Sequence, residues 1–218
     1  MNIIILNDIA IFHTDDAKEL TDTFMRVSEF YESDKYKGNF GITRQDIINL
    51  YTCIGECEDY FDVFEGYNFP ACCIKEFFVV NEADEFEMRL TTLPSSITYV
   101  IGHITGDQQV LVHELAHAFY YSFDTYRHGA DAITQTLSVE VLNILIKWFV
   151  KNGYNQDVYQ DELQAYIVEE LLEDLIEDEH ELDFVLNNTQ KPLAELKALF
   201  YSTLSSINGH EVLGLGNA

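Results

Sequence analysis

Basic residues are scarce in this chain: 12 Lys and Arg stand against 38 Asp and Glu in 218 residues, a formal net charge of -26. Nucleic-acid binding rests on Lys and Arg displacing counterions from phosphates, so neither direct nucleic-acid binding nor an anionic membrane is expected. Proline (3) and glycine (11) are also few, while 47% of the residues are hydrophobic, which excludes a collagenous, low-complexity or disordered chain despite the charge. Long apolar runs are missing. The most apolar window, 137–150, is interrupted by Glu140 and Lys147 and is shorter than the ~20 residues that span a bilayer. It reads as a buried helix. No positive charge precedes the short apolar run at Ile3 to Leu6, so no secretory signal is expected. Cysteine is limited to Cys53, Cys57, Cys72 and Cys73, a C-x3-C and a vicinal pair that fit no common zinc or disulfide spacing. Reduced, mostly buried thiols and a cytoplasmic location are the expectation.

What is present is one domain's worth of chain with ample core-forming residues. No repeat or linker divides it, but the hydrophobic period changes near residue 105. Before that point Ile3 to Leu6, Glu76 to Val80, Glu85 to Thr91 and Ile97 to Ile104 are short β-branched or aromatic runs that read as strands. Between the first two, Asp15 to Glu32 has helical spacing, and Thr43 to Gly66 looks helical with an interruption near Gly55. After residue 105 the pattern is helical over 107–122, 130–151, 157–178 and 192–206. Gly153 suits the end of the second of these helices, and Asp157 the N-cap of the third. The expected layout is a single α+β domain: a sheet-containing part over 1–105, a helical part over 106–207, and a loose tail from 208 to 218.

The stretch from Val110 to Tyr120 carries the motif His113-Glu114-x-x-His117. On a helix, residues four apart share a face, so two imidazole nitrogens can approach one zinc ion at ~2.1 Å. Glu114 lies about 100° around the helix, placed to reach a water on the metal as a general base. A random shuffle of this composition yields the motif about 2 times in 100. The context favours a real site, because a Thr105-Gly106-Asp107 turn with a capping Asp precedes a helix that has Leu111, Leu115, Ala118 and Phe119 to bury.

A catalytic zinc site takes a third protein ligand and leaves the fourth position open. His128 does not have the spacing of a metzincin ligand, and Tyr120 stands where that pattern needs Gly. Asp131 is equally explained as a charge at a helix start. Glu162, in Asp161-Glu162-Leu163-Gln164-Ala165-Tyr166, is the favoured third ligand, on a helix able to pack against the motif helix.

His113-Glu114-x-x-His117 followed by Glu162-x-x-Ala165-Tyr166 resembles the gluzincin metallopeptidases, particularly compact forms with an E-x-x-A-Y second helix. The resemblance implies a zincin-like fold: a small N-terminal mixed sheet with a backing helix, then the active-site helix and a C-terminal helical lobe. It implies one zinc ion on His113, His117 and Glu162, with Glu114 as base. Two positions depart from the pattern. Tyr166 stands where thermolysin-like members carry an Asp that orients a zinc-bound imidazole, leaving that task to Asp161, Glu169, a carboxylate elsewhere, or a hydrogen bond from Tyr166 itself. The oxyanion donor has no recognisable motif, and Tyr126, His128 and Tyr166 are the nearest candidates.

The expected function is a zinc metallopeptidase, an endopeptidase that hydrolyses peptide bonds by zinc-activated water with Glu114 as general base. Its substrate is a peptide or protein, with a bias toward basic chains, aligned along an edge strand near Ile97 to Ile104. The competing expectation is a catalytically silent zincin-fold protein whose acidic surface engages a basic partner or imitates DNA. Between Asp157 and Asp183 the acidic residues are mainly read as a solvated helix face. His13, His103, His180 and His210 read as packed or surface residues.

Overall fold

The computed structural model describes residues 1–33, 35–54, 66–151, 154, 156–169, 172–176 and 178–213. Its architecture is α+β, with a four-stranded mixed sheet and helices. Contacts cluster into two compact units, 1–114 and 115–218, and the division falls inside one continuous helix.

The first unit is built on the sheet, in the order β1-β2-β4-β3. Strands β1 (Asn2–Leu6) and β2 (Ile9–Thr14) form an antiparallel hairpin closed at Asn7-Asp8, with Asn7 at φ 56°. Strand β4 (Tyr99–Ile104) runs parallel to β2, and β3 (Gly66–Pro70) pairs antiparallel with β4. Helix α1 (Ala17–Glu32) packs across the sheet, its first turn capped by Asp16, whose side chain accepts from the N–H groups of Lys18 and Glu19. Phe24 of α1 meets Phe12, Tyr67 and Phe69 at ring-centroid distances of 5.5, 5.7 and 5.8 Å, so the core lies between α1 and the sheet. Helix α2 (Arg44–Ile54), α3 (Ala71–Phe78) and the single turn α4 (Met88–Thr91) complete the unit before β4.

Several expectations are corrected here. Glu76 to Val80 is not a strand. Ala71, Ile74 and Phe77 are buried at a three-residue spacing on α3, and Val79 and Val80 emerge exposed after its end. Glu85 to Thr91 is not a strand either, because Asp84 Oδ1 accepts from the N–H groups of Phe86 and Glu87 and starts a helical turn. Strands β2 and β3 went unread. Gly66 begins β3 rather than ending a helix, and the part of Thr43 to Gly66 over 55–65, with Tyr60, Phe61 and Phe64, lies outside the described residues. Cys57 and the Cys53 side chain also lie outside them. Cys72 is an exposed thiol and Cys73 a buried one, its pKa pushed up to about 12 by burial and the adjacent Cys72.

Helix α5 (Gln108–Ser122) follows β4 after the turn at Gly106, whose φ of 89° is reached freely only by glycine. Asp107 caps it by accepting from the Val110 N–H at 3.0 Å. Beyond α5, α6 (Asp124–Thr134) and α7 (Val139–Lys151) replace the single helix expected over 130–151, with a bend of 115° between them. Helix α6 ends where the buried Thr134 hydroxyl bonds back to the Ala130 carbonyl, and Ser138 then caps α7. Helix α7 buries Val141, Leu145 and Phe149 but exposes Val139 and Val150, so the most apolar window is amphipathic rather than buried. Asp157 sits in a 3-10 turn (Gln156–Val158) leading into α8 (Tyr159–Glu169), followed by α9 (Leu172–Leu175). Gly153 is outside the described residues.

Helix α10 (Glu179–Ser206) starts at the Asp178 cap, so Pro192 lies within it instead of opening it. Its stripe Val185, Thr189, Pro192, Leu196, Phe200 and Leu204 is buried in the second unit, where the Phe200 ring tilts against Phe119 with centroids 5.1 Å apart. Of the final residues, 209–211 form a 3-10 turn and 214–218 lie outside the description. Among the described residues no single helix is long and apolar enough to cross a membrane.

Candidate metal centre

Helix α5 buries Leu111, Leu115, Ala118 and Phe119, which fixes the face on which His113 and His117 stand one turn apart. His117 is buried and His113 half-buried. Helix α8 supplies Asp161 and Glu162 in its first turn. One donor atom from each of His113, His117 and Glu162 lies within 4.8 Å of the others, a group able to hold a metal ion. It is the one such group of three or more His, Cys, Asp or Glu among the described residues.

Both nitrogens of His117 face consecutive carboxylates. Nδ1 is 2.9 Å from Asp161 Oδ1, and Nε2 is 3.8 Å from Glu162 Oε2. Asp161, one residue before the third candidate ligand, is thus the carboxylate against the His117 ring, where the sequence had left Asp161, Glu169 or another group open. Gln164 Nε2 donates to the same Asp161 oxygen at 3.0 Å, and the Tyr126 hydroxyl donates to Gln164 Oε1 at 2.8 Å.

Glu114 is only 7% exposed. Strand alternation on β3 sends Tyr67 and Phe69 to the core and turns Gly66 and Asn68 toward α5. Asn68 Nδ2 donates to Glu114 Oε2 at 2.6 Å, and the Tyr99 hydroxyl donates to Asn68 Oδ1 at 2.5 Å. A Cβ on Gly66 would stand 2.2 Å from Glu114 Oε1, so only glycine leaves room for this carboxylate. Neither Asn68 nor Gly66 carried a local signal in the sequence, since the contact joins residues 46 apart.

The other candidates fall elsewhere. Asp131 accepts from the Tyr120 hydroxyl at 2.6 Å, and burial together with Asp131 pushes the Tyr120 pKa up. His128 is exposed, and the hydroxyls of Tyr166 and Tyr154 lie 3.0 Å apart. Tyr126 is buried with its proton committed to Gln164, which removes it as an oxyanion donor. His103 is buried, stacks on His13 at 6.0 Å and hydrogen-bonds the Ile104 carbonyl, while His210 meets Ser205 and His180 is exposed. Strand β4 is interior to the sheet and not an edge; among the described strands the edges are β1 and β3.

Comparison with protein-family models, with curated proteins and with solved structures gives no match.

Proposed function

We propose that this protein is a zinc-dependent metallopeptidase on a zincin-like fold. The observation that carries the reading is the convergence of His113, His117 and Glu162, with Glu114 between the two histidines on α5. Two imidazoles and one carboxylate match the three-ligand set of catalytic zinc, and the absence of sulfur from the set argues against a closed structural site. His113, His117 and Glu162 would hold one zinc ion. Bound there, zinc supplies a Lewis acid that polarises a carbonyl and lowers the pKa of water to about 7.

The chain's own groups do the rest. Glu114 accepts the proton of the attacking water and delivers it to the leaving amine. Asn68 steadies the Glu114 carboxylate through Oε2, and Asp161 steadies His117 through Nδ1. With β4 interior, the strand available to take up an extended substrate by β-addition on the Glu114 side is β3, whose outer edge is unpaired among the described residues. Of the three expected oxyanion donors, Tyr126 is committed to Gln164 and the Tyr166 hydroxyl shares a hydrogen bond with Tyr154, so neither is assigned that role.

The test is metal analysis together with peptide hydrolysis by the wild type and Glu114→Gln. One zinc per chain in both, with kcat lower by about 10²- to 10⁴-fold in the variant, supports the reading. Full activity in Glu114→Gln at equal zinc content would sink it. Iron in place of zinc would also count against it, because two histidines and a carboxylate can hold that metal too. A zinc-loaded wild type that cleaves no peptide but retains a basic protein would favour the silent binding protein.

A further inference from the structure

We propose that Gln164 and Tyr126 are positioning residues of the metal centre. Acting through Asp161, they select the form of His117 that carries its proton on Nδ1 and so aims Nε2 at the metal. The proposal rests on the metal-centre reading above and extends it to two buried residues that touch no candidate ligand in the contacts described.

Neutral imidazole has two tautomers, and only the one protonated on Nδ1 leaves Nε2 free to ligate on the Glu162 side. An ionised carboxylate accepts hydrogen bonds and cannot donate them. Asp161 Oδ1, 2.9 Å from His117 Nδ1, therefore requires the proton to be on Nδ1. That requirement holds only as long as Asp161 stays put. Its Oδ1 also accepts from Gln164 Nε2 at 3.0 Å, within the same helix three residues on.

The Gln164 amide has two orientations of nearly equal shape. With its oxygen toward Asp161, acceptor would face acceptor; with its nitrogen toward Asp161, the oxygen is turned to Tyr126, whose hydroxyl donates at 2.8 Å. Burial, with Asp161 adding to it, raises the Tyr126 pKa and keeps that donor protonated. Gln164 is 0% and Tyr126 1% exposed, so bulk water does not replace either partner if one is removed. Helix α6 packs on α8 and holds the phenol in place. The relay Tyr126–Gln164–Asp161–His117 thus runs from a buried phenol to the imidazole through consecutive hydrogen bonds.

The experiment compares the full-length wild type with Tyr126→Phe and Gln164→Leu. Zinc affinity is read by competition with a chromogenic chelator. The His117 tautomer is read from ¹⁵N shifts of the imidazole in the metal-free protein. The expected result is His117 protonated on Nδ1 in the wild type, a gain of the other tautomer in both variants, and zinc affinity lower by about 10-fold or more. Tyr126→Phe removes one oxygen and keeps the ring, so the outcome does not depend on Gln164→Leu folding. A merely structural role would lower the melting temperature of both variants and leave tautomer and affinity unchanged, and that result overturns the proposal alone. A wild type that binds no zinc overturns the metal centre and the proposal with it.

Discussion

Glu114 is confined at both carboxylate oxygens by strand β3: Oε2 receives the Asn68 amide at 2.6 Å, and Oε1 occupies the space that a side chain on residue 66 would need. Such confinement matters for the proposed role of Glu114 as a base, because a displacement of about 1 Å can cost about 100-fold in rate. Gly66→Ala would bring Cβ within 2.2 Å of Glu114 Oε1 and 2.7 Å of Val110 Cγ1, and the carboxylate has to give way. The expected outcome is a fall in kcat of about 100-fold with zinc content retained, measured by steady-state kinetics beside metal analysis. Equal kcat in Gly66→Ala would show that Glu114 needs no such cradle. At this scale the sequence was informative where helical periodicity relates residues, as for His113 and His117, and where neighbours on α8 carry carboxylates, as for Asp161 and Glu162. It was silent on Asn68, Gly66 and Gln164, whose roles arise from contacts across elements and from hydrogen-bond orientation that no spacing encodes.

Among the elements, the segment around α4 shows how a buried charge overrides a strand-like pattern. Glu87 is fully buried, and Arg26 of α1 donates to it through Nε at 2.6 Å and again through its outer nitrogen. Arg44 of α2 pairs with Asp84 and lies 3.6 Å from Glu87, so one network ties α1, α2 and the chain before α4. Hydrogen bonding to Glu87, against the opposing effect of burial, raises the Arg26 pKa. Glu85 to Thr91 read as a strand, a short run between turn-like segments, because composition cannot announce that one of its glutamates will be the buried partner of a distant arginine. Conversely, β3 was overlooked because Gly66-Tyr67-Asn68-Phe69-Pro70 begins and ends with residues that usually punctuate strands. Removing one member of a buried pair leaves an uncompensated charge at a cost of about 3–5 kcal/mol. Glu87→Ala should therefore lower the urea unfolding free energy by about 3 kcal/mol, whereas Arg26→Met with Glu87→Leu should restore much of it. If Glu87→Ala unfolds at the wild-type urea concentration, the network does not stabilise the first unit.

For the whole molecule, the surplus of 38 acidic over 12 basic residues sets the conditions under which the fold holds. Few of those carboxylates have a role in the proposed chemistry, so at neutral pH most of the charge acts as self-repulsion in the compact state. Glu29 adds to this cost. It is 5% exposed on α1, accepts from the Tyr51 hydroxyl at 2.8 Å through Oε1, and has Oε2 buried with no close hydrogen-bond partner among the described residues. Burial raises its pKa despite the opposing hydrogen bonds of Tyr51 and Ser33. A carboxyl whose pKa is higher in the folded state than in the unfolded state binds its proton more tightly when folded. Stability is then full below the unfolded value of about 4.3 and declines as pH rises through the folded value, the reverse of a salt-bridged carboxylate. Glu29→Gln removes that titration. The variant should gain stability relative to wild type at neutral pH, and the gain should vanish as pH falls through the ordinary carboxylate range, as read by urea unfolding at a series of pH values. Repulsion among the exposed acids responds to salt instead: raising ionic strength from ~0.01 M to ~0.1 M shortens the Debye length from about 30 Å to about 10 Å and should raise the melting temperature. The buried Glu29 contribution is screened far less, so the stability gap between wild type and Glu29→Gln should persist across the same salt range. A gap that closes with salt would assign the effect of Glu29 to long-range repulsion rather than to its burial.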